Sequence, residues 1–71
     1  MVNGAKIRSL REENKLTVEK AATEVGITHA MLVFVERGQR QPSVDTLVRI
    51  ADYFGVKIDD LIIRANPSDI A

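Results

Sequence analysis

One glycine, Gly26, constrains this chain more than any other residue. It stands between two threonines, Thr17 and Thr28, each followed by a segment of helix-compatible length. A threonine before such a segment is a good N-cap, because its hydroxyl accepts from an otherwise orphaned backbone amide. A glycine after the first segment takes the left-handed conformation that ends a helix at little cost. The pattern predicts helices over 17–25 and 28–37 meeting at a tight turn, and such pairs cross at roughly 90–120°. Close crossing needs a small residue on the first helix, and Ala22 supplies it. The second must anchor an inner face, for which Ile27, Leu32 and Val35 are spaced.

The rest of the chain carries the same helical signals. Asn3 caps a predicted helix over 4–14 with Ile7 and Leu10 inward. Ser43, after Pro42, caps one over 43–54 with Val44, Leu47, Ile50, Ala51 and Phe54 on one face, and Gly55 ends it. Ile58, Leu61 and Ile62 mark a last short helix over 57–63. "MLVFV" has strand propensity, but caps and glycines bracket it at helical length. Residues 1–65 read as one domain and 66–71 as a C-terminal tail, broken at Pro67.

With 71 residues the chain has room for one small core, near the lower limit for folding without staples. It has no cysteine, and its single histidine, His29, cannot build a metal site alone. Packed apolar side chains must therefore carry the stability, and a 45% hydrophobic content allows it. No apolar run approaches the roughly 18 residues that span a membrane, and the N-terminus lacks a signal-peptide core. A cytoplasmic location is expected, with no membrane partner. Ten basic and ten acidic residues balance, so any polyanion must be met by local rather than net charge. No nucleophile–base pair or phosphate-cradling glycine loop stands out. The acid pairs Glu12/Glu13 and Asp59/Asp60 are adjacent on helices and point apart. No enzyme activity, metal or cofactor is expected.

"IRSLRE", "AATEVGI", "VERG", "QPSVDTLVRIADYFGV" and "DDLI" together resemble the lambda-repressor-like (Cro and C1 type) helix-turn-helix domain over residues 7–62. The resemblance implies an all-α, compact five-helix fold, a homodimer that binds double-stranded DNA, and a role in transcriptional control, commonly repression. It implies an ion pair between Arg11 of the first helix and Glu36 ending the third. It places Thr28, His29, Ala30, Val33 and Phe34 in the major groove. The loop after them, Arg37, Gln39 and Arg40, with Ser43 opening the next helix, is placed on DNA phosphates. The segment from Ile58 to Ile70 is a candidate dimer surface.

The departures from that family fall on function. Val18 stands where a glutamine commonly braces the DNA contacts. No Arg, Lys, Asn or Gln lies between Thr28 and Val35. Bidentate pairs from such residues discriminate bases by about 1–3 kcal/mol each. This helix is left with thymine methyls, reachable through Ala30, Val33 or Phe34, and with DNA shape. The same apolar run suggests a second reading. Met31, Val33 and Phe34 would form an exposed patch for a protein partner or a second copy of the chain.

Overall fold

The structure, a computed structural model, describes residues 1–63. Four α-helices follow in order: α1 (Gly4–Glu13), α2 (Val18–Val25), α3 (His29–Glu36) and α4 (Val44–Phe54). A 3-10 helix over Ile58–Leu61 follows them. Each α-helix begins where a capping side chain is available. Asn3, Thr17, Thr28 and Ser43 accept from the backbone N–H groups of Lys6, Lys20, Met31 and Thr46. Gly26 and Gly55 end α2 and α4 at φ of 88° and 68°.

The core gathers Ile7 and Leu10 from α1, Ala21, Ala22 and Val25 from α2, Leu32 and Val35 from α3, Ile50 and Ala51 from α4, and Leu61. α2 and α3 pack on each other, α1 supports α3, and α4 lies against α2 and the 3-10 helix. Ala21 and Ala22, nearly without exposed surface, let the α2 backbone come close to its neighbours. No helix of the described residues is long and apolar enough to cross a membrane.

Three expectations need correction. Among the described residues there are four α-helices, not five, because the segment expected as a helix over 57–63 forms only the 3-10 helix. The residues that would have lengthened it are taken by the chain's other end. Ile62 is extended (φ −117°, ψ 134°) and pairs with Val2 in an isolated antiparallel bridge. The Asn3 N–H donates to the Leu61 carbonyl and the Ile63 N–H to the Met1 carbonyl, both at 2.7 Å. Val44, expected inward, is 75% exposed. It opens α4 ahead of the core, which that helix first reaches at the half-buried Leu47. Met31, expected on the outer face of α3, is half-buried against the core. The tail 66–71 and the part of the expected dimer surface beyond Ile63 lie outside the described residues.

Candidate nucleic-acid interface

α3 is held as a platform from three directions. At its start, the amides of Gly26 and Ile27 both donate to the Ala22 carbonyl at 2.9 Å, closing the turn. Along its inner face Leu32 and Val35 are buried. At its end Glu36 meets Arg11 of α1. Arg11 Nε donates to Glu36 Oε2 at 2.7 Å and Nη2 to Oε1 at 3.1 Å, while Nη1 donates to the Leu16 carbonyl at 2.8 Å. The two side chains are only 12% and 6% exposed. The fork geometry gives two parallel charge-assisted bonds, stronger than neutral ones. Hydrogen bonding to Glu36 raises the pKa of Arg11 above its ordinary value, against a desolvation that lowers it. Gly4 completes the clamp. A Cβ there would fall on the carbonyl oxygens of Val35 and Glu36. The first turn of α1 thus presses directly on the last turn of α3, and opposite helix-dipole ends meet there.

On the outer side of α3, Thr28, His29 and Ala30 are exposed, and Phe34 is 40% exposed. Val33 is half-buried. It lines a cleft of about 210 Å³ with Arg8, Arg11, Val18, Glu36 and Arg37. With Met31 turned to the core, the expected patch of Met31, Val33 and Phe34 shrinks to Phe34 as the one large side chain standing out.

The end of α3 is a Schellman motif, in which amides just past the helix bond back to its last carbonyls. Gly38 N–H donates to Val35 O at 3.1 Å and Gln39 N–H to Phe34 O at 2.8 Å. Gly38 makes this possible at φ 72°. The fold-back brings Gln39 and Arg40 beside the Phe34 ring, and these three line an open recess. Among the described residues Arg37 and Arg40 are in no ion pair, whereas Arg8, Lys20 and Arg49 pair with Glu12, Glu24 and Asp45. Hydrogen bonding to Glu24 also raises the pKa of Lys20. Ser43 Oγ accepts from Thr46 N at 3.2 Å and donates to Thr46 Oγ1 at 3.0 Å, so its hydroxyl is already engaged.

Two contributors escaped the sequence. Gln41 accepts from the Val2 N–H at 2.9 Å and ties the N-terminus to the loop after α3. Gly4 carried no turn or positive-φ signal, since its role is a close approach between residues far apart in sequence.

The pattern of the helix-turn-helix family matches residues 7–61. A helix-turn-helix transcriptional regulator of Methanocaldococcus jannaschii, MJ0272, is 34% identical over 58 residues, which span 82% of this chain and 88% of that protein. The transcriptional repressor RghR of Bacillus subtilis is 35% identical over 63 residues, 87% of this chain and 47% of the repressor. Among solved structures, the restriction-modification controller protein C.AhdI of Aeromonas hydrophila superposes with a TM-score of 0.77 at 29% identity, covering 83% of this chain and 89% of its own.

Proposed function

The chain belongs to the helix-turn-helix family of transcriptional regulators, and from that premise we propose that it binds operator DNA as a homodimer with α3 in the major groove. Thr28, His29, Ala30, Val33 and Phe34 face the base edges in this reading. Arg37, Gln39, Arg40 and the start of α4 at Ser43 meet the phosphates. Residues 1–65 act as the DNA-binding unit. The observation that carries the proposal is the pair of arginines, Arg37 and Arg40, at the end of α3 and in no ion pair among the described residues. They lie one short loop before the α4 N-terminus, where backbone amides and the helix dipole favour an anion.

Salt titration tests this. Each phosphate neutralised contributes about −0.9 to the slope of log K against log salt. Fluorescence anisotropy on duplexes should therefore show affinity falling steeply as salt rises. Absence of binding to any duplex at about 50 mM salt would overturn the proposal. Two-fold pairing matches a palindromic site with half-sites about one helical turn apart. We assign the dimer contact to the segment from Ile58 onward, where Ile63 is 51% exposed. Sedimentation of an Ile63→Lys variant, expected to shift toward monomer, tests that assignment.

A further inference from the structure

Resting on the DNA-binding reading, we infer that Phe34 is a reader of the thymine 5-methyl group, and that this contact replaces the hydrogen-bond code this helix lacks. Within His29–Glu36 only His29 and Glu36 carry polar side chains, and Glu36 is bound to Arg11. Thr28 precedes the helix, and its hydroxyl already caps Met31. Exposed His29 offers single ring-nitrogen contacts only, and α3 holds no Asn, Gln, Lys or Arg for a bidentate pair with a purine. What remains in the major groove for an apolar side chain is the thymine methyl, which distinguishes thymine from cytosine at the same position.

The structure then separates the three apolar candidates. Val33 is half-buried as a wall of the cleft with Arg8, Arg11, Val18, Glu36 and Arg37. Ala30 is exposed but offers one methyl group. Phe34 is the large apolar side chain on the outer surface of α3. Its backbone is anchored, because its carbonyl accepts from the Gln39 amide at 2.8 Å in the Schellman turn. Gln39 and Arg40 line an open recess with it. With those two side chains on the DNA backbone, the exposed ring beside them is presented to the groove.

The test uses the full chain. Binding sites are selected from a randomised duplex pool, and each thymine of a recovered site is replaced in turn by deoxyuridine, which removes only the methyl. For the wild-type chain, one position per half-site should weaken binding about fourfold, the worth of one buried methyl at ~0.8 kcal/mol. Phe34→Ala and Phe34→Gln, checked for folding by thermal melting, should bind thymine and uracil sites alike at that position. The inference is overturned if no single uracil weakens wild-type binding by as much as twofold, or if both variants keep the wild-type sensitivity. A wild-type scan with no sensitive thymine overturns the inference even if one variant fails to fold, and the other variant then still assigns any sensitivity that is found. Failure to select any duplex would instead remove the DNA-binding reading itself, so the two failures are distinct.

Discussion

The two sides of α3 differ in how far their residues are committed. On the inner side Leu32 and Val35 are buried, and Glu36 is bound through both oxygens to Arg11. On the outer side His29 and Ala30 are exposed, Phe34 stands 40% out, and Arg37 just beyond has no ion pair among the described residues. The inner side is committed to holding the fold together. The outer side leaves its exposed residues free for the contacts proposed above. Substitutions on the first should lower stability, and substitutions on the second should alter binding while leaving stability in place.

The largest effect is expected at Glu36. Glu36→Ala leaves the Arg11 guanidinium desolvated without its partner, which costs about 3–5 kcal/mol for a buried pair. Urea denaturation should show that loss. Replacing both residues together by apolar side chains of similar volume should recover much of it, since the pair then carries no uncompensated charge. A loss below about 1 kcal/mol in the single variant would mean that the pair behaves as a surface contact. Gly4→Ala comes next. Its Cβ meets backbone oxygens of α3 rather than a flexible side chain, so α1 must shift. Overpacking of this kind costs about 1–3 kcal/mol, and alanine's helix preference offsets no more than about 1 kcal/mol of it. A variant as stable as the wild type would show that α1 is not pressed on α3.

The inner side was legible in the sequence because its signals are local or periodic. Asn3, Thr17, Thr28 and Ser43 each accept from the amide three residues on, which is the contact their residue type and position imply. Leu32 and Val35 follow a helical spacing from the turn. The fifth helix was misread because Ile58, Leu61 and Ile62 have helical spacing, yet Val2 competes for Ile62 from the opposite end of the chain. No local pattern announces that pairing. The outer side was misread at Met31, because a run of consecutive apolar residues fixes no register. The packing of α3 on its neighbours decides which of Met31, Val33 and Phe34 stands free. The Gln41 contact carried no local signal either, since its partner is the backbone of Val2.

Thr28 sits on the border between the two sides and should show both phenotypes. Thr28→Ala removes the cap on α3, at a cost of about 1 kcal/mol, and also removes a polar group from the face proposed to meet DNA. Thr28→Ser restores the hydroxyl and removes only the methyl. If the serine variant recovers stability in thermal unfolding without recovering affinity, the threonine methyl contributes to binding. If it recovers both, the hydroxyl carries the residue's role and the methyl does not contribute.

Arg40→Gln should change stability least and divides the outer side most finely. Arg40 is exposed and in no ion pair among the described residues, so its loss should leave unfolding within about 0.5 kcal/mol of the wild type. If it meets a phosphate, the slope of log K against log salt should fall by about 0.9 for each protomer that makes the contact. Affinity should then drop by a similar factor on selected and unrelated duplexes, because a phosphate contact positions without specifying. If Arg40 instead reaches a base edge, the loss should concentrate on the selected site and relax its preference at one position. Glutamine keeps the length of the side chain beside Phe34 while removing its charge. A change confined to the salt slope therefore assigns Arg40 to the backbone and leaves base reading to Phe34 and the exposed start of α3.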